Sequence, residues 1–463
     1  MSHSGKAILL DFGSTHTKIT VADTDEEEIL FSGAVPSTVK SDARVGLLRC
    51  LEMAEREIGE ELDGAVKLAS SSAAGGLRMA VIGLSKSLSV SAGRNSACGA
   101  GGRILCTLAG KITAQELEPL SDAKVEIILF CGGYENGNEK AVRHNARVIA
   151  ASRLRIPVIY AGNSAVAGEV RALLTSAGKE CFIADNIIPA VGELNGAMAE
   201  ETVREIFLKR IINMKGLEGV REMLDGILMP TPAAVLEAGR LLSEGCDGEE
   251  GIGELMIFDV GGATTDVHSF AEQSSCDGAR IAGAAESRAK RTVEGDLGLR
   301  ESASQMAETA GFDRLAAEAA IAEEKLREAV ALRSADTSFI PEKSEDKAID
   351  AALAAFAVKT AARRHAGYLE HIASANCKLL QRGKNLSGVK TIIAAGGPLI
   401  KAERPEKILA KALKTEGEED ILLPRSAELF TDKSYIFYAM GLLSQSHPRQ
   451  ALSIMKKYLR KEG

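Results

Sequence analysis

Two kinds of stretch alternate along the chain. Short apolar runs stop abruptly at glycine, and longer stretches repeat an apolar residue every three or four positions. The first kind reads as buried strands and the second as amphipathic helices. Three of the apolar runs are set apart by the residues at their carboxyl ends. Ala7-Ile-Leu-Leu10 leads into Asp11, Gly13, the hydroxyls of Ser14, Thr15 and Thr17, and Lys18, after which an alternating segment runs to Asp23. Leu255-Met-Ile-Phe258 leads into Asp259, Gly261-Gly262, Thr264, Thr265 and Asp266 before apolar Val267 resumes. Both predict a strand, a tight turn and a returning strand, with acids at the shoulders. Val389 to Ala395 is a third buried strand, which ends in Gly396-Gly397 and leads into a helix.

From about 65 to 185, strand and helix patterns alternate. Apolar runs at Ala65–Ser71, Met79–Leu84, Ile104–Leu108, Val125–Phe130 and Ile156–Tyr160 are interleaved with helical stretches near 144–151 and 164–176. Strands that end in glycine (Gly132-Gly133, Gly162-Asn163) and feed helices indicate βαβ units around a parallel sheet. Ligands on such sheets gather at the carboxyl ends of the strands. The small-residue turn Ser70–Gly76 could bind an anion through its hydroxyls and exposed amides, but reads foremost as a tight connection between packed strands. Pro230 and Pro232 suit a helix entrance, so a helix capped near Thr231 is predicted from Pro232. The acidic, glycine-rich stretch 243–253 is the best domain boundary. Residues 287–300 mix cations and acids around Gly295 and Gly298 and predict a shaped loop. Ala-rich helices are predicted at 314–331 and 346–374, and closing helices at 435–444 and 451–458.

Composition narrows the picture. A chain of 463 residues has room for two or three domains, each with its own core. A net charge of −8 argues against a nucleic-acid footprint. No apolar run approaches the roughly 18 to 20 residues that span a bilayer, and a strand pattern beginning at Ala7 leaves no room for a signal peptide. The eight cysteines lack CxxC spacing, which suits reduced thiols in a cytoplasmic protein better than a disulfide framework or a zinc site.

The chemistry of the two hairpins is that of a phosphate clamp. Paired glycines let backbone N–H groups approach a ligand that a Cβ would push away. The threonine hydroxyls add donors, and Asp259 and Asp266 suit a hydrated Mg²⁺ completed by substrate phosphates. One such hairpin is as readily a plain turn, but two predict similar lobes meeting across one nucleotide.

The order of the glycine turns resembles the actin, sugar kinase and 70-kDa heat-shock ATPase superfamily. Asp11-x-Gly-Ser-Thr resembles its first phosphate motif, Asp259-Val-Gly-Gly-Ala-Thr-Thr-Asp266 its second and Ala395-Gly-Gly-Pro398 its adenosine motif, while Pro230-Thr-Pro-Ala-Ala-Val resembles its connecting helix. Ser70–Met79, Ala161-Gly-Asn163, Met229–Leu236, Asp259–His268 and Arg291-Thr-Val-Glu-Gly-Asp-Leu-Gly298 are similar to the glutamate mutase L accessory family (MutL, unrelated to the mismatch-repair protein). That family accompanies adenosylcobalamin-dependent mutases.

The resemblance implies an α/β, two-lobed actin-like (ribonuclease H-like) ATPase fold with additional βαβ units in lobe I. Lobe I would be 1–250, with 433–463 returning to it and the elaboration at about 65–185; lobe II would be 251–432. ATP or ADP with Mg²⁺ would lie between them. Gly13, Ser14, Thr15, Thr17 and Lys18 would approach from one side and Gly261, Gly262, Thr264 and Thr265 from the other, with Gly396 and Gly397 beneath the adenosine. Asp11, Asp259 and Asp266 would serve as metal ligands and catalytic acids. The implied role is an ATP-binding accessory or reactivating factor, a chaperone-like switch for an adenosylcobalamin-dependent glutamate or amino acid mutase, and not the mutase itself. A small-molecule kinase and a filament-forming actin relative are the alternatives.

Two departures bear on mechanism. Met229 stands where heat-shock ATPases carry a water-orienting Glu, which implies slow hydrolysis unless Asp11, Asp259 or a carboxylate from elsewhere, such as Glu294 or Asp296, substitutes. Cys131-Gly-Gly-Tyr-Glu135 lacks the Thr-Asp pair expected after these glycines.

Overall fold

A computed structural model describes residues 5–13, 16–39, 41–71, 77–212, 219–284, 286–372 and 379–462. Ser14, Thr15 and residues 72–76 of the small-residue turn lie outside the described residues.

One strand order occurs twice. In the first sheet Lys6–Phe12, His16–Asp23 and Glu28–Pro36 run antiparallel in succession, and Val66–Ser71 and then Gly226–Pro230 add in parallel on the other side of Lys6–Phe12. In the second, Leu255–Val260, Thr265–Phe270 and Ala289–Glu294 are antiparallel, and Thr391–Ala395 and then Glu428–Thr431 add in parallel. A repeated order of third, second, first, fourth and fifth strand is the duplicated actin-like, ribonuclease H-like α/β fold. Strand Arg460–Glu462 then extends the second sheet antiparallel to Glu428–Thr431.

Because successive side chains of a strand point to opposite faces, each sheet serves two cores. Ala7, Leu9 and Ala22 of the first sheet and Leu255, Ile257 and Phe270 of the second turn towards a shared middle layer. That layer holds the helices Thr231–Glu244, Phe437–Leu443 and Pro448–Tyr458. The alternate residues face outwards: Ile8, Leu10 and Ile19 onto helix Ala43–Ile58, and Met256, Phe258 and Val267 onto helix Ser344–His365.

The elaboration is a five-stranded, all-parallel sheet placed between two neighbouring strands of the first sheet, Val66–Ser71 and Gly226–Pro230. Its spatial order is Gly102–Ala109, Leu77–Gly83, Ile127–Gly132, Val158–Gly162, Cys181–Ile183. Helices Glu139–Ala151 and Ala167–Ser176 cover one face through Val142, Ile149 and Val170, while Met79, Val81 and Leu129 join the first lobe's core on the other.

Three local expectations are corrected. The shaped loop expected over 287–300 is instead strand Ala289–Glu294 with a single helical turn at Gly295–Leu297; pairing along the whole of Thr265–Phe270 overrides a charged, loop-like composition. The helix expected over 346–374 stops at His365, because a Cβ at Gly367 would meet the carbonyl oxygens of Arg382 and Lys384 at 2.6 and 2.7 Å and the chain must turn into strand Tyr368–His371. The helix expected over 314–331 is two, Phe312–Ala319 and Glu323–Ala335, parted where Ala320 takes a left-handed φ of 55°. The seven described cysteines are free thiols, and no helix among the described residues is long and apolar enough to cross a membrane.

Candidate functional site

The two duplicated hairpins face each other where the sheets meet. On the first, antiparallel pairing sets Asp11 directly opposite Lys18, so both side chains leave the same face. Lys18 Nζ lies 3.2 Å from Asp11 Oδ2 and donates to the Tyr435 hydroxyl at 2.8 Å. Burial works against the lysine's charge, but the neighbouring Tyr435 and Asp11 outweigh it and raise its pKa. Asp11 is fully buried, and its Oδ1 accepts from Thr231 Oγ1 at 2.6 Å; Ser70 Oγ is 3.1 Å from the same hydroxyl. The helix is capped beside Thr231, as predicted, but not by Thr231 itself. Thr231 is the first residue of the helix, with Pro230 at the cap position, and its hydroxyl serves the acid instead. Met229 is buried and in register with Ser70, so an apolar side chain stands beside this polar cluster.

On the second hairpin Asp259 and Asp266 are cross-strand partners. Asp266 is tightly held: Arg291 Nε donates to its Oδ1 at 2.8 Å, Arg291 Nη2 contacts the same oxygen, and Thr264 Oγ1 donates to Oδ2 at 2.9 Å. Asp259 carries the strain. Burial first, and then the charge of Asp266, push its pKa up to about 7 against the pull of Lys18 and Arg291. Asp432 is near enough to contribute. Burial raises its own pKa to about 6, while its oxygens accept from the N–H groups of Ile436 and Phe437 at 3.0 and 3.1 Å and so anchor the start of helix Phe437–Leu443.

The glycine turn is buttressed from behind. Gly261 O accepts from Leu299 N at 3.1 Å, and Gly262 O from Arg300 N and Glu301 N at 2.8 and 3.0 Å. The guanidinium of Arg300 grips Asp350 of helix Ser344–His365 at 2.7 Å. Gly396, at φ 83°, packs so closely on the hairpin that a Cβ would overlap Val260 O and come within 2.6 Å of Asp259 Oδ1. Gly397 opens helix Gly397–Ile400 and has open space at its Cα. The third glycine turn thus lies against the strained acid, as a close-approach site requires.

Of the residues singled out in the sequence, the fold gathers Asp11, Gly13, Lys18, Asp259, Gly261, Gly262, Thr264, Asp266, Gly396 and Gly397 around this junction. Two hydroxyls expected there are turned away. Strand alternation puts Thr17 on the face opposite Asp11, beneath helix Ala43–Ile58, where a Cβ on Gly46 would sit 3.0 Å from its Oγ1. Thr265 is fully buried and donates to Leu297 O at 2.7 Å. Of the possible substitute carboxylates, the two outside the hairpins are engaged: Arg364 Nη1 is 2.7 Å from both Glu294 Oε2 and Asp296 Oδ1. Neither Tyr435 nor Asp432 is singled out by the sequence, and Ser70 only through its turn. Ser70 sat within a recognised motif, whereas the other two had no flanking signal at all.

A family model described as "MutL protein" matches residues 7–459. Protein MutL of Clostridium tetanomorphum is 40% identical over 455 residues, covering 98% of each chain. Similar solved structures include xylulose kinase from Bifidobacterium adolescentis, at 11% identity and a TM-score of 0.34 over 100% of this chain and 96% of that one. ROK hexokinase from Thermus thermophilus shows 12% identity and a TM-score of 0.28 over 95% and 98%. The strand order of the two sheets, rather than these scores, defines the fold.

Proposed function

The chain belongs to the MutL family, and on that premise we propose that it is a nucleotide-dependent accessory factor for an adenosylcobalamin-dependent mutase, acting as a switch and hydrolysing ATP slowly. The observation that carries this reading is the meeting of Asp11, Lys18 and Asp259 at the junction of two duplicated sheets. The donor set fits magnesium and a polyphosphate. A buried carboxyl raised to about 7 by burial and by a neighbouring acid gains from a divalent cation, and Gly397, with open space where a Cβ would stand, leaves room beside it.

In this reading Asp11 and Asp259 hold the metal's waters. Lys18, Gly13, Ser14 and Thr15 take the phosphates from one side, Gly261, Gly262 and Thr264 take them from the other, and Gly396 and Gly397 underlie the adenosine. Asp266, held by Arg291, acts as a positioning group. We take residues 1–250 and 251–432 as the two lobes, with helices Phe437–Leu443 and Pro448–Tyr458 packed between them and strand Arg460–Glu462 extending the second sheet. A bound nucleotide would supply a phosphoanhydride, and transfer of its terminal phosphoryl group to water, with the nucleoside diphosphate leaving, depends mainly on positioning and charge stabilisation. The chain's own residues favour holding over cleaving. Thr231 fixes Asp11, Met229 offers no base, and Glu294 and Asp296 are committed to Arg364. Slow turnover suits a switch whose lobes act on a mutase, in the cytoplasm where its thiols stay reduced.

Isothermal calorimetry on the purified protein tests this. Magnesium-dependent ATP binding is expected, weakened at least about tenfold, or 1.4 kcal/mol, in Asp259→Ala. Absence of ATP binding by the wild-type protein overturns the proposal. Turnover stimulated many-fold by a small hydroxylated acceptor, and not by a mutase, would assign a kinase instead.

A further inference from the structure

The motif Arg291–Gly298 is left over once the clamp is assembled, and Arg291 is its most deeply buried charge, 3% exposed. Its guanidinium does two jobs. Nε and Nη2 hold Asp266, while Nη1 donates to Cys98 O at 2.8 Å and lies 3.3 Å from Gly102 O. Those carbonyls flank the turn that joins helix Ser91–Gly99 to strand Gly102–Ala109 of the inserted sheet.

The same part of the second lobe grips the insert at further points. Ala284 N donates to Ser87 O at 2.8 Å, and Asn95 Nδ2 donates to Glu286 Oε2 at 3.1 Å. Arg103 lies where a Cβ on Gly295 would meet its guanidinium at 2.6 Å. On the other side of the turn, a Cβ on Gly101 would come 2.8 Å from Pro230 Cβ, next to Thr231 and its bond to Asp11. The insert is therefore covalently part of the first sheet yet bolted to the second, and Cys98–Arg103 touches both halves of the clamp.

We infer that Arg291 couples the cleft to the inserted sheet, as a positioning residue that binds Asp266 and the Cys98–Gly102 turn with one guanidinium. A buried guanidinium cannot give up its carboxylate without leaving an uncompensated charge. A change in what Asp266 binds must therefore change the hold on the insert. The cleft's being a nucleotide site rests on the proposal above; the coupling itself does not.

Hydrogen exchange on the full-length protein separates the two. Without nucleotide, Asp266→Asn and Arg291→Lys, which keeps a cation but loses the planar fork, are expected to speed exchange across residues 91–109 about tenfold. Arg364→Ala, which cuts the ion pairs of Glu294 and Asp296 in the same motif, should leave those amides unchanged. Unchanged protection of 91–109 in a folded Asp266→Asn protein overturns the coupling, and Asp266→Asn serves alone if Arg291→Lys does not fold. With Mg-ATP, the same amides should respond in the wild type and not in Arg291→Lys. A wild type that binds Mg-ATP by calorimetry with no response at 91–109 also overturns the coupling. A wild type that binds none overturns the nucleotide reading, while the apo comparison still decides the coupling.

Discussion

Asp259 is where the electrostatics of the cleft concentrate. Its folded pKa of about 7 lies above the carboxylate range, so folding favours the protonated form. For such a group stability is greatest at low pH, declines as pH rises through the unfolded and then the folded pKa, and is flat above the latter. Asp432, raised to about 6, has the same sign. In metal-free protein, the urea midpoint of wild type relative to Asp259→Asn should therefore fall between about pH 4 and pH 7. A difference that does not move with pH would show that Asp259 ionises normally. At this scale the sequence was a good guide wherever an acid or cation adjoined a turn, as with Asp11, Lys18 and Asp259. It misled at Thr17 and Thr265, because a hydroxyl's neighbours do not tell which face of the strand it takes. Tyr435 was invisible because its role comes from a contact with Lys18, 417 positions away.

At the scale of elements, the middle layer depends on one close crossing. Helices Thr231–Glu244 and Phe437–Leu443 approach until a Cβ on Gly441 would overlap the carbonyl oxygen of Ala234. Backbone cannot yield as a side chain tip does, so Gly441→Ala should cost at least the ~3 kcal/mol upper end of ordinary overpacking, read from denaturant midpoints. A loss below about 1 kcal/mol, within the range of well-tolerated core changes, would mean that the helices slide apart freely. The period-two strands were legible, since both faces of each sheet are buried and the apolar runs are continuous. Strand Ala289–Glu294 was not, because its charges are satisfied by distant partners, among them Asp266 for Arg291 and Arg364 for Glu294. The true end of helix Ser344–His365 was equally hidden, being imposed by strand Leu379–Arg382 packing against Gly367.

At the scale of the whole molecule, the two sheets do not form independent halves. They share the middle helices, the insert is pinned to both, and the chain closes by adding Arg460–Glu462 to the second sheet. Thermal unfolding followed by calorimetry should therefore show one cooperative transition. Two resolved transitions, with the insert or either sheet melting separately, would contradict this packing.

The sequence by itself determined the duplicated hairpins, the third glycine turn, the parallel character of the insert and the family, because each is written in local spacing and in the placement of glycines. Only the tertiary structure decided which hydroxyls face the cleft, which acid bears the strain and which is neutralised by Arg291, and how the insert spans both lobes. Those outcomes depend on burial and on charges brought together from remote parts of the chain. Desolvation and long-range pairing have no signature in a short window of residues.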